Sequence, residues 1–171
     1  LERSAPAAQG KPVLIICPTS LVGNWIEEGG KFAPSLKFVD LTGPDRKERQ
    51  AKASGDQIWV TSYAVLRIDL DYYRQTEFGI VVLDEAQNIK NRSTQNAQAV
   101  KTLRSVNRLV LTGTPIENSV SDLWSIMDFL MPGYLGPHEA FRGSYELAIQ
   151  AGGPGAEDAQ KRLKKKLNPF F

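Results

Sequence analysis

The chain has 171 residues, 42% of them hydrophobic and 23% charged, an ordinary globular composition that excludes a fibrous or largely disordered protein. Twenty-one basic residues against nineteen acidic ones leave a formal charge of +2, too small to announce a nucleic-acid binder by itself. No apolar run approaches the roughly 20 residues that span a bilayer, and a lone cysteine excludes an intrachain disulfide and a thiolate zinc site.

Residues 1–11 are Ala, Pro, Gly and polar and predict a tail, without the basic-then-apolar layout of a signal peptide. Val13-Leu14-Ile15-Ile16-Cys17 is a short branched apolar run, the pattern of a buried strand. Thr19 or Ser20 offers a cap for a helix from near Leu21 to Phe32. Gly29 and Gly30 weaken that helix by about 1 kcal/mol each. Strands are predicted at 36–41, 57–61, 78–83 and 108–111. Helices are predicted at 45–53, 63–73 and 93–103 between them, then at 119–130, 138–150 and 156–167. Gly152-Gly153-Pro154-Gly155 reads as a linker. Strands alternating with helices imply crossovers and a parallel sheet, and runs such as 80–83, apolar on both faces, suit a sheet covered on both sides.

Ligands of such sheets bind at the carboxyl ends of the strands, so the residues that follow each strand matter most. They are Pro18-Thr19-Ser20, Thr61-Ser62, Asp84-Glu85-Ala86-Gln87 and Thr112-Gly113-Thr114-Pro115. A carboxylate directly after a buried strand suits Mg²⁺ on a phosphate, which needs only one or two carboxylates. Its neighbour can polarise a water for attack on phosphorus. Each motif alone also has a plainer reading: Asp-Glu as an acidic helix start, Thr-Gly-Thr-Pro as a capped turn.

Order and spacing narrow the choice. The segments Val81-Val82-Leu83-Asp84-Glu85-Ala86-Gln87-Asn88-Ile89-Lys90-Asn91 and Leu109-Val110-Leu111-Thr112-Gly113-Thr114-Pro115-Ile116-Glu117-Asn118 resemble motifs II and III of superfamily 2 helicases. More narrowly, they resemble those of the SWI/SNF-like DNA-translocating ATPases. Cys17 to Leu21 with Trp25, residues 122–130, and Phe141-Arg142 are similar to the same family, so the resemblance spans residues 12–145. It implies a RecA-like parallel sheet of about five strands flanked by helices. Residues 12–135 would be the first lobe, and residues 136–171 a helical extension leading toward a second lobe. It implies an ATP-hydrolysing double-stranded DNA translocase using ATP and Mg²⁺. Asp84 would bind the metal, Glu85 would activate water, and Gln87 would lie near the γ-phosphate. Thr112, Gly113 and Thr114 would couple hydrolysis to DNA, and Pro18, Thr19, Ser20, Thr61 and Ser62 would line a DNA-facing rim. The expected setting is intracellular, without a membrane: cytoplasm or nucleoid in a prokaryote, which the motif surroundings favour, or a eukaryotic nucleus.

The same resemblance calls for a phosphate-binding loop of the Gly-x-Gly-Lys-Thr kind. Gly10-Lys11 precedes the first strand and is followed by Pro12, not Ser or Thr. The expectation is therefore a fragment lacking that loop, its strand and the second lobe, inactive alone, with an exposed sheet edge beside Leu109–Leu111 open to self-association. Cys17, Trp25, Trp59 and Trp124 are expected in the core, and His138 near the surface. The basic run 161–166 fits either a solvated helix face or a contact to duplex phosphates. Alternatives are a superfamily 2 RNA or DNA helicase lobe, against which Gln87 and Thr112-Gly113-Thr114 argue, a non-catalytic DNA- or protein-binding module, and an unrelated flavodoxin-like fold.

Overall fold

The computed structural model describes residues 10–113 and 120–168. Its strands are β1 (Val13–Cys17), β2 (Lys37–Asp40), β3 (Gln57–Ser62), β4 (Glu77–Asp84) and β5 (Arg104–Leu111). They pair in parallel throughout, in the order β2-β3-β1-β4-β5. The helices between them are α1 (Val22–Phe32), α2 (Arg46–Lys52), α3 (Tyr63–Ile68), α4 (Leu70–Arg74) and α5 (Gln95–Lys101). After the sheet come α6 (Val120–Leu130), α7 (His138–Phe141), α8 (Leu147–Ala151) and α9 (Gly153–Leu167). The helix-flanked parallel sheet required by the sequence pattern is present.

Alternation along the central strands builds two apolar layers. Leu14, Ile16, Val81 and Leu83 face Leu66, Ala97, Val100 and Phe129 of α3, α5 and α6. Ile15, Cys17, Val60 and Val82 face Val22, Trp25 and Ile26 of α1. Leu14 through Cys17 are fully buried, because β1 lies in the middle of the sheet.

Gly29 has a packing role inside α1. A Cβ there would lie 2.6 Å from the ring of Phe38 on β2, whereas one on Gly30 would meet nothing within 4 Å. The first glycine lets helix and strand approach; the second has no such demand on it.

The structure departs from the predicted elements where polar side chains turn inward. The single helix expected over 63–73 is two helices, because Asp69 between them leaves helical geometry (φ −107°, ψ 28°). Its carboxylate is only 3% exposed. It accepts from Arg46 Nε at 2.7 Å, Lys47 Nζ at 2.9 Å and Gln50 Nε2 at 2.9 Å. β5 begins at Arg104, four residues before its apolar run, since its polar half pairs through the backbone with Glu77, Phe78 and Ile80. Arg108 crosses to α6. Its guanidinium donates to the carbonyls of Phe129 (2.7 Å) and Leu103 (2.9 Å) and lies 5.0 Å from the Phe129 ring centroid. Burial holds its pKa below the ordinary arginine value.

The linker expected at 152–155 shrinks to Gly152. α9 starts at Gly153, with Pro154 in its first turn, where a missing N–H costs no helical hydrogen bond. Helix 138–150 is present as α7, a π turn (Arg142–Glu146) and α8. α6 packs Leu123, Trp124 and Met127 against Phe141, Tyr145, Ala159 and Leu163. His138 is not a surface residue: its side chain is 14% exposed and its ring stands edge-on to Trp124 at 5.0 Å. In α9, Leu163 is buried while Lys161, Arg162, Lys164, Lys165 and Lys166 are exposed, an arrangement that either reading of the basic run requires.

β5 ends the sheet. Among the described residues no strand pairs with its outer edge. Val106, Leu109 and Leu111 are exposed there, and an open groove of about 870 Å³ runs between β5 and the end of α6.

Candidate functional site

β1 and β4 are neighbours, but the chain leaves them toward opposite faces, β1 to α1 and β4 to α5. Such a divergence opens a crevice at the carboxyl ends of the two strands. Asp84, the last residue of β4, stands at its floor. Its Oδ1 accepts the Glu85 backbone N–H at 2.9 Å. Its Oδ2 accepts the indole N–H of Trp25, also at 2.9 Å. Its carbonyl accepts the hydroxyl of Tyr63 at 2.9 Å. Each carboxylate oxygen keeps a second lone pair for a water or an ion.

Glu85 is in the left-handed region (φ 54°, ψ 59°), alone in this among the described non-glycine residues. That conformation costs an L-residue about 1–2 kcal/mol. It persists because both sides are anchored: Asp84 by the three bonds above, and the Glu85 carbonyl by Asn88, whose N–H and side-chain amide donate to it at 3.0 and 2.8 Å.

The register brings the two motifs together. Asp84 pairs with Leu111, so Thr112 emerges beside Glu85. The Thr112 hydroxyl donates to Gln87 Oε1 at 3.4 Å, and Gln87 Nε2 donates to Glu85 Oε2 at 2.7 Å. A chain of side chains thus joins Thr112, Gln87 and Glu85. Thr114 lies outside the described residues. Gly113 follows directly on Thr112, with open space where a Cβ would stand.

Magnesium on a nucleotide takes one or two carboxylates and fills its shell with water and phosphate oxygens. Adjacent carboxylates at a strand end, one of them held at both oxygens, fit that share. Among the described residues no cluster of three or more His, Cys, Asp or Glu forms a metal cage of its own.

The five residues expected at the rim differ in exposure. Thr19 and Ser20 are exposed on a 3₁₀ turn (Thr19–Leu21) between β1 and α1, with Pro18 half-buried before it. Neither hydroxyl caps α1, whose cap residue is Leu21. Thr61 and Ser62 do not line the rim through their side chains: both are buried. Thr61 Oγ1 accepts from the Tyr73 hydroxyl at 2.8 Å, and Ser62 Oγ caps α3 by accepting from the Val65 N–H at 3.2 Å. β3 lies one strand further from the crevice, and α3 covers its end.

Sequence reasoning missed two contacts. Trp25 is half-buried and spends its indole N–H on Asp84 rather than on the core alone. Tyr63, first residue of α3, holds the Asp84 carbonyl, and burial followed by the nearby charge of Asp84 pushes its phenol well above the usual tyrosine range. Nothing local marks either pairing, since Trp25 and Asp84 are 59 residues apart. Cys17 is core as expected. Burial first, then Asp84 and Asp40, pushes its thiol up to about 12, so it is no nucleophile at neutral pH.

A family model described as the SNF2-related domain matches residues 2–171. The chain belongs to the SNF2-related domain family. It is 42% identical to the Sulfolobus solfataricus SWI2/SNF2 ATPase core in complex with dsDNA, with a TM-score of 0.86, covering 99% of this chain and 35% of that one. It is 39% identical over 168 residues to the TATA-binding protein-associated factor mot1 of Schizosaccharomyces pombe, covering 97% of this chain and 9% of that protein. It is 40% identical over 161 residues to an uncharacterized ATP-dependent helicase of Mycoplasma genitalium, covering 94% of this chain and 15% of that one. The chain therefore spans about a third of the SNF2 core and under a fifth of these curated relatives. The motif-based resemblance and the RecA-like lobe it implied are both upheld. No helix among the described residues is long and apolar enough to cross a membrane.

Proposed function

We propose that the whole protein is an ATP-hydrolysing motor that moves along double-stranded DNA, and that this chain carries part of its first lobe. The observation that supports this most is the hydrogen-bonded chain Thr112–Gln87–Glu85 beside Asp84. It joins a candidate hydrolytic carboxylate to a strand end that can report the state of the crevice. Asp84, fixed at both oxygens, would hold Mg²⁺, which would neutralise phosphate charge when bound. Glu85 orients or deprotonates the attacking water. Gln87 senses the γ-phosphate side of the crevice and, with Thr112, Gly113 and Thr114, carries that state toward DNA. Thr19 and Ser20, exposed after the half-buried Pro18, offer hydroxyls that suit phosphate oxygens. Such contacts follow a backbone without reading its sequence. The solved relative in complex with dsDNA makes duplex DNA the leading polymer.

The same reading takes residues 12–135 as the lobe and 136–171 as an extension toward a second lobe, and it takes the β5 edge as a surface through which isolated copies of this chain self-associate. The 171 residues alone are proposed to hydrolyse no ATP, since they contain no Gly-x-Gly-Lys-Thr loop. Comparing duplex DNA, single-stranded DNA and RNA as stimulators of ATP turnover by the full-length protein tests the reading. Duplex DNA is expected to stimulate most. Strongest stimulation by RNA would replace the reading with an RNA helicase, and no turnover under any condition with a binding-only module.

A further inference from the structure

Trp25 joins the two halves of the crevice. It stands on the first turn of α1, four residues beyond the exposed Thr19–Leu21 turn. Its ring packs with the α1-side layer of the sheet, while its N–H reaches across to Asp84 Oδ2 on β4 at 2.9 Å. An indole has a single donor and no acceptor, so this one bond fixes which way the tip of the ring is committed. On the other side, the Asp84 side chain would be free to rotate about its terminal torsion if only the Glu85 N–H held it. With both oxygens engaged, one rotamer is selected and the remaining lone pairs point in a fixed direction.

We infer that Trp25 is a positioning residue that holds the Asp84 carboxylate in its metal-receiving orientation and ties it mechanically to the Pro18-Thr19-Ser20 turn. The inference rests on the reading of Asp84 as a magnesium ligand. Outer-shell donors to ligating groups commonly set metal affinity by tenfold or more, and here the donor stands on the first turn of α1, directly after the 3₁₀ turn proposed to meet DNA. Displacement of that turn moves the first turn of α1, and with it the N–H that Asp84 depends on.

The test uses the full-length protein and its Trp25→Phe variant, which keeps an aromatic ring and removes the donor. Binding of a fluorescent ATP analogue is titrated with Mg²⁺ and repeated in excess chelator. The inference expects the Mg²⁺ midpoint to rise on the order of tenfold while metal-free nucleotide affinity stays within about twofold. It also expects Trp25→Phe to add little further loss in the Asp84→Asn background, since Trp25 acts on the metal only through that carboxylate. An unchanged Mg²⁺ midpoint, or equal weakening with and without metal, overturns it. A wild-type protein whose nucleotide binding ignores Mg²⁺ overturns the reading of Asp84 itself, and the inference with it. Folding is scored separately on the full-length protein through its ¹⁵N-labelled indole resonances. The Trp25 N–H signal should move on Asp84→Asn, with the Trp59 and Trp124 signals in place. A Trp25 signal indifferent to Asp84→Asn would contradict the hydrogen bond directly.

Discussion

Replacing Asp69 by Asn removes a charge that three donors of α2 surround. The carboxylate is almost fully buried, yet the bonds from Arg46, Lys47 and Gln50 outweigh the cost of that burial and hold its pKa at about 2, against 3.8 for a free side chain. A shift of roughly two units corresponds to about 2 kcal/mol favouring the folded state at neutral pH. Because the folded pKa is depressed, this stabilisation is complete above about pH 5 and disappears as the pH falls through about 4 toward 2. Lys47 is largely exposed, so solvent screens its share, and Arg46 and Gln50 carry most of the effect. Urea unfolding of the 171-residue chain, followed by circular dichroism at several pH values, is the assay. Asp69→Asn is expected to lose about 2 kcal/mol at pH 7, at an unchanged denaturant slope, and to lose correspondingly less than the wild type between about pH 5 and pH 2. Parallel acid profiles for the two proteins would refute the reasoning, since the carboxylate would then contribute no pH-linked stability.

Further outcomes follow from the packing. Gly29→Ala should destabilise the chain by about 1 kcal/mol, its Cβ meeting the Phe38 ring, whereas Gly30→Ala should stabilise it by up to about 1 kcal/mol through helix propensity. Equal gains in urea midpoint for both would remove the packing role of Gly29. Cys17 should react with a chromogenic thiol reagent only as fast as the chain unfolds; rapid labelling of native protein would contradict its burial. Leu109→Lys, placed on the exposed edge of β5, should reduce concentration-dependent association in sedimentation experiments. Association unaffected by that charge would assign it to another surface.

The parallel sheet was legible because β1, β3 and β4 are apolar runs closed by turn residues, and burial on both faces leaves that mark in any sequence. β5 was half-legible, since Arg104, Ser105 and Asn107 are polar and owe their strand to backbone pairing with β4. Asp69 shows why helix limits fail: a charge that belongs to a tertiary cluster looks like any other polar position on a helix. At the site, motif order brought out Asp84, Glu85, Gln87 and Thr112, and the register between β4 and β5 sets their contact. Thr61 and Ser62 looked equivalent to Thr19 and Ser20, being small hydroxyl residues after a strand. Whether such residues face solvent depends on which helix covers the strand end, a fact of packing. Trp25 was visible as a member of a motif and invisible as a donor to a residue on another strand.

The most direct measurement is ATP turnover by the full-length protein with saturating duplex DNA, wild type against Glu85→Gln, with nucleotide affinity measured beside it. The variant keeps the size of Glu85 and can still hydrogen-bond Gln87, but cannot accept a proton from water. Turnover is expected to fall by about two to four orders of magnitude with nucleotide affinity nearly unchanged. Turnover within a few-fold of wild type would show that the Glu85 carboxylate is not the group that activates water.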